Sequence, residues 1–435
     1  MHAIHRYKTY IVWIVLIICT LSVQAAFQTD GPLVGGVTER SARVFIRTDV
    51  PALVQIEYST LSDLNESTLS DTQYTDANRD YTTIIELNNL EPQTIYYYRV
   101  LVDGASQQQE ALPSFETFPR THGPVSFRFA VIADLINTLT YPEVPAPVYQ
   151  QVAAVDPKFV LQIGDFDHRN PQTLTSMRNM HRDVRGSYSI AGNDFLEQIS
   201  SRYPIFHTWD DHDYGMNNGD KTWLGRSDAL QAFYEYYPTP ERPNPSGIWY
   251  KFSYANCEFF MLDVRSQRDP DTDPDGPDKS MLDGDNIPDG QKQWLLDGLL
   301  NSNARWKFLI SGVPFNPTSK PDDGWSAFET ERSEIMRFIA DNDIEGVILI
   351  SGDLHSGGAI DLGDHSGYPE ISVPHTNLAV TTPASGIVGD WSGGFIPGTE
   401  ISGGAALITV MGRQDSVELR AIDADGNTTI WGRFP

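Results

Sequence analysis

The sequence predicts a two-part chain, a small all-β module followed by an α/β domain built in layers. Three observations carry this. The 435 residues exceed the roughly 250–300 over which one hydrophobic core grows. Residues 27–118 alternate apolar and polar side chains in short runs. Beyond 124, apolar runs alternate with amphipathic stretches of helical period, the signature of α/β layers.

In the first part, Ala42 to Ile46, Val54 to Tyr58, Thr82 to Leu87 and Ile95 to Val102 read as strands, separated by turns such as Asn88-Asn89 and Asp103-Gly104. Four or more strands in about 90 residues suggest a small β-sandwich. The stretch from Leu90 to Gly104 resembles the closing hairpin of a fibronectin type III-like module, and no chemistry is visible in this segment. Pro119 to Pro124 reads as a linker. The second part then spans 126–435. Its apolar runs are Phe127 to Ala133, Phe159 to Ile163, Ile205 to Trp209, Phe259 to Val264, Trp306 to Ser311 and Val347 to Ile350. Helices are expected over Pro147 to Val155, Asp194 to Ser201, Ser227 to Tyr236, Gln291 to Leu300 and Glu329 to Asp341. The tail from Ala405 onward returns to β.

Composition narrows the class. Hydrophobic residues make up 40% and charged residues 20%, as in globular proteins. A net charge of −27 argues against duplex nucleic acid, whose binding rests on Lys and Arg. Residues 1–25 read as a signal peptide. A basic start (His5, Arg6, Lys8) precedes an apolar run from Tyr10 to Val23, short of the roughly 20 residues a spanning helix needs, and Val23-Gln24-Ala25 offers small cleavage residues. A secreted or periplasmic protein with no membrane span after signal removal is therefore expected; the alternative is an uncleaved anchor. One of the two cysteines, Cys19, lies in that run. Cys257 is then alone, and it reads as a buried apolar residue.

Four apolar runs end in an acid: Asp134, Asp165, Asp210-Asp211 and Asp353. Ligands of α/β sheets gather at the carboxyl ends of strands. Carboxylates converging there repel one another unless cations lie among them. Three histidines fall in the same motifs, His168, His212 and His355. Carboxylate oxygen with imidazole nitrogen suits Fe, Mn, Zn or, with more oxygen, Ca.

This series resembles the alkaline phosphatase D family of the calcineurin-like metallophosphoesterases. The matching pieces are Phe127 to Asp134, Gly164-Asp165, Trp209-Asp210-Asp211-His212-Asp213-Tyr214-Gly215 with Asn217, Leu262-Asp263-Val264-Arg265, and Gly352-Asp353-Leu354-His355. The resemblance implies a four-layer α/β/β/α sandwich and two metal ions. Asp134, Asp165, His168 and His355 would hold the first ion. Asp165 would bridge to a second, held also by Asp211 and Asp353. Asn217 would be an extra ligand or a phosphate contact. His212 would assist the leaving oxygen, and Asp165 would share a hydroxide that attacks phosphorus. Arg265 would either clamp the phosphate or form a structural ion pair. The implied substrate is a small-molecule phosphate ester, with a phosphodiesterase or a catalytically dead, calcium-dependent surface-binding protein as alternatives.

Three departures bear on the metals. Ile136 stands where the superfamily places a polar residue, and His168 stands where relatives carry a tyrosine. Ser311-Gly312-Val313-Pro314 offers no side-chain ligand where a histidine is usual. His207, His365 and His375 read as surface or core residues. Separately, Asp271, Asp273, Asp275 and Gly276 match the first half of a calcium loop. The Asp271–Asp289 segment is thus a further calcium site or a solvated acidic insertion.

Overall fold

The computed structural model describes residues 25–107, 112–120, 123–377, 388–398 and 402–435. The basic start and apolar run lie outside them. Among the described residues, no helix is long and apolar enough to cross a membrane.

Two sheets face each other at the centre of the second part. The first has six strands, in the spatial order Ile205–Thr208, Val160–Ile163, Phe127–Ile132, Gly404–Met411, Ser416–Asp423 and Thr428–Phe434. Its three leading strands in the chain run parallel and the C-terminal three add antiparallel. The second sheet has seven strands, with Cys257–Met261, Trp306–Ser311, Val347–Ser351 and Glu370–Ser372 as its parallel core.

Phenylalanines from both sheets put their rings between them. Phe129 lies 5.1 Å from Phe159, 5.2 Å from Phe259 and 5.3 Å from Phe308, centroid to centroid. Each such burial is worth about 1.5–3 kcal/mol relative to exposure, which fixes strand register on the inner faces. The outer faces are covered by helices. Val148–Ala154, Leu174–Asp183 and Arg226–Tyr236 pack on the first sheet, and Gln291–Leu300 and Glu329–Asp341 on the second. The layers are therefore α/β/β/α.

Most expected elements fall within a residue or two of their places. Leu174–Asp183 was not among the expected helices; Thr173 and Ser176 form a reciprocal capping box at its start. The helix expected over Asp194 to Ser201 is split, Ile190–Phe195 running into a wider π-helical turn at Leu196–Ser200.

The N-terminal part forms a three-stranded sheet (Gln28–Gly35, Ala42–Thr48, Thr82–Leu87) and a second sheet built on Ala52–Ser59 and Ile95–Val102. It is not a separate bead. Phe118 packs its ring against Phe159, Phe206, Phe252 and Tyr254. Asp80 pairs with Arg182, and Arg43 donates to the Thr239 carbonyl.

Candidate metal centre

The expected acids converge. Strands Phe127–Ile132, Val160–Ile163 and Val347–Ser351 end beside one another, and Asp134, Asp165 and Asp353 follow within two residues of each end. All three have positive φ, near 57°, 50° and 58°. Non-glycine residues in that region carry strain, which persists where the surroundings over-determine it. The bend turns each carboxylate off its strand and into the crevice. Gly164 makes it feasible, since at φ +120° a Cβ there would lie 2.6 Å from the Cβ of Asp210.

Asp134, Asp165, His168 and His355 each offer a ligand atom within 4.8 Å of the others. His168 Nε2 lies 3.1 Å from an Asp165 oxygen and 3.3 Å from His355 Nε2, which is 3.5 Å from Asp134. The Leu135 carbonyl, 2.7 Å from His168 Nδ1, accepts its proton and leaves Nε2 to face the pocket. Two further groups share Asp165, one with Asp211 and His212, the other with Asp210 and Asp353. Both Asp134 oxygens and one each of Asp210 and Asp211 are buried without hydrogen-bond partners. Buried carboxylates are ordinarily paired or bound to metal, so the donor set fits cations.

The electrostatics agree. Burial, and then the like charge of Asp165, push Asp134 up to about 7. Burial alone would lower His168, but Asp165 and Asp134 outweigh it and hold the imidazole up to about 10. Burial and the neighbouring His168 and Lys320 push His355 down to about 3. Asp134 and His168 thus favour a proton, whereas His355 is kept neutral.

His212 follows Asp211 on a single helical turn, Asp211–Tyr214. Its backbone N–H donates to Asp165 at 3.3 Å, and its ring stands 4.3 Å from that of His168. The side chain is 12% exposed.

Arg265 requires a correction. It is wholly buried, with Nε on Asp210 at 2.5 Å and both terminal nitrogens on Asp323 at 2.7 and 3.1 Å. Its guanidinium is committed to these two acids and closed off from solvent, which is the ion-pair alternative. Asn217 is exposed and donates to Asn218, whose backbone N–H supports Asp211 at 2.6 Å. Ile136 is buried, and its N–H is taken by Asn377. His207 and His375 are core residues, and His365 is half-buried beside Asp361.

The acids of 271–289 go to separate partners. Asp271 pairs with Arg268, Asp275 accepts from Thr330, and Asp285 pairs with Arg226. Among the described residues that loop holds no convergent ligand group. Sequence reasoning missed Asp210 as a group member, although it adjoins Asp211. It also missed Lys320, whose Nζ lies 2.8 Å from Asp353.

A family model described as PhoD-like phosphatase matches residues 139–387, more than half of the chain. The chain belongs to the PhoD-like phosphatase family. A second model, a domain of unknown function (DUF7800), matches residues 28–120. Alkaline phosphatase D of Bacillus subtilis (strain 168) is 24% identical over 333 residues, which cover 64% of this chain and 54% of that protein. The match thus spans about half the length of the curated relative. The solved structure of PhoD superposes with a TM-score of 0.73 at 19% identity, covering 92% of this chain and 87% of that one. Purple acid phosphatase PPD1 from yellow lupin (Lupinus luteus) seeds gives 0.63 at 13% identity, covering 92% and 73%. These likenesses establish a metallophosphoesterase-like fold.

Proposed function

We propose that this PhoD-like chain is an exported, metal-dependent hydrolase of small phosphate esters. The observation that carries the reading is that Asp165 is shared by three ligand groups, one with Asp134, His168 and His355, one with Asp211 and His212, and one with Asp210 and Asp353. Asp134, Asp165, His168 and His355 would hold one cation, and Asp165, Asp211 and Asp353 a second. Bound there, two cations would lower the pKa of a water and neutralise charge on phosphoryl oxygens.

The chain's own groups supply the rest. Asp165 belongs to every candidate group and would be shared by both positions. His168, anchored through Leu135, presents a lone pair at a set angle. His212 stands at the mouth, where its imidazole can hand a proton to the departing alkoxide. Arg265 holds Asp210 and Asp323 behind the pocket, so the ligands keep their places without substrate. The N-terminal part, read as a fibronectin type III-like sandwich, buttresses the first sheet through Phe118. Export rests on the basic start and apolar run at the N-terminus.

The test is elemental analysis of purified protein together with hydrolysis of 4-nitrophenyl phosphate and bis(4-nitrophenyl) phosphate. About two bound metal ions and turnover of either ester are expected. Metal-replete protein inactive on both would overturn the reading.

A further inference from the structure

The two flanks of Asp165 differ in one respect that the family resemblance does not supply. In the group around His168 and His355 no lysine or arginine pairs directly with Asp134 or Asp165, although Lys320 is near enough to help push His355 down. The group around Asp353 already holds an ammonium, Lys320 Nζ at 2.8 Å from an Asp353 oxygen. Lys320 belongs to the loop after strand Trp306–Ser311, which offers no side-chain ligand at Ser311-Gly312-Val313-Pro314.

This placement is built rather than incidental. Lys320 takes a left-handed backbone, φ 49°, which costs energy in a residue with a side chain. Its carbonyl accepts from the N–H groups of Asp323 and Gly324 and from the Ser326 hydroxyl. Asp323 is itself gripped by Arg265 and Arg268. The side chain is only 17% exposed, so it is packed over the pocket rather than free in solvent.

A divalent ion bound to Asp353 would sit within a few ångströms of that ammonium, and like charges so close in a buried site repel strongly. We propose that Lys320 is a resident counter-ion of the second cation position, which a second cation must displace from Asp353 before it binds. The second ion is then held more weakly than the first and exchanges freely, while the His168–His355 position is filled first. This rests on the proposed assignment of the ligand residues to two cations, and concerns this chain's own lysine.

The test is calorimetric titration of chelator-stripped protein with Mn²⁺, wild type against Lys320→Met. Wild type should bind in two steps, the second at least about tenfold weaker. Lys320→Met should tighten the second step about tenfold or more and leave the first within about twofold. An unchanged or weakened second step overturns the role of Lys320. A measurement on the wild-type protein guards against a variant that fails to fold. Amine acetylation of Lys320, followed by peptide mass spectrometry, should run several-fold faster with Mn²⁺ saturating than without metal. Equal rates overturn the proposal. Two-step binding with the expected Lys320 effect but no ester hydrolysis would support the counter-ion while counting against the proposed function. Absence of Mn²⁺ uptake by wild type would overturn both.

Discussion

On one side of Asp165 the pocket is lined by two imidazoles and by Asp134, whose oxygens have no partner. On the other side carboxylates already lean on protein cations, Asp210 on Arg265 and Asp353 on Lys320. Both flanks face the same problem, buried negative charge, and the fold answers it in two ways. The first flank leaves the charge for a cation or a proton, which is why Asp134 and His168 are pushed up. The second spends arginine and lysine on it. A side chain that neutralises a carboxylate permanently also competes with whatever ion that carboxylate would bind.

Asp165 belongs to both flanks, so its loss should be felt most. Asp165→Ala is expected to cut ester hydrolysis by about 10³-fold or more and to lower bound metal at both positions by elemental analysis. His355→Ala should empty the first position and leave the second measurable, which separates the flanks. If Asp165→Ala kept both metals, Asp165 would not join the two sides.

Arg265 tests the other answer. Arg265→Met would leave Asp210 and Asp323 as buried charges without their main partner, and breaking such a pair by removing one member costs about 3–5 kcal/mol. A large drop in the urea midpoint is expected. An unchanged midpoint would mean that Asp210 and Asp323 find other partners. His212→Ala should be milder on every count. Removing a general acid costs about 10²–10⁴-fold in rate, and metal content should stay as in wild type. Metal loss in that variant would make His212 a ligand, as its grouping with Asp165 and Asp211 permits geometrically.

How much of this was readable in the sequence follows from what kind of signal each residue gives. Asp134, Asp165, Asp353 and His355 were legible because they terminate or follow apolar runs, and a parallel strand delivers its end to a predictable place. The strands that carry the inner phenylalanines were legible as apolar runs, buried on both faces. The role of Arg265 was open, because Leu262-Asp263-Val264-Arg265 fixes a position and not the side of the sheet from which the guanidinium approaches. Lys320 gave no signal at all. It lies in an irregular loop where neither period nor spacing says which way a side chain points, and only tertiary folding brings it to Asp353. The acidic loop stayed open between a cage and a solvated insertion for the related reason that alternating aspartates do not show where their side chains point; here Asp271, Asp275 and Asp285 meet three different partners.

The contrast between flanks extends to histidines outside the pocket. His181 and His207 are buried without a carboxylate against them. Burial first, and then the positive Arg185, hold both well below the usual imidazole value, and neither ring nitrogen of His207 has a hydrogen-bond partner. The unfolded chain takes up a proton at each near pH 6.5 while the folded chain does not. Stability from these two residues is therefore complete above about pH 6.5 and falls as the pH drops below it, by about 1.4 kcal/mol per histidine for each unit. His168, pushed the opposite way by Asp165 and Asp134, does not share that trend. Urea unfolding at pH 7.5 and 5.5 of wild type and His207→Leu checks the sign. The variant should lose about half of this acid sensitivity. If its midpoint fell with pH as steeply as wild type's, His207 would accept its proton in the folded state, and burial without a carboxylate would not be what separates the two kinds of histidine.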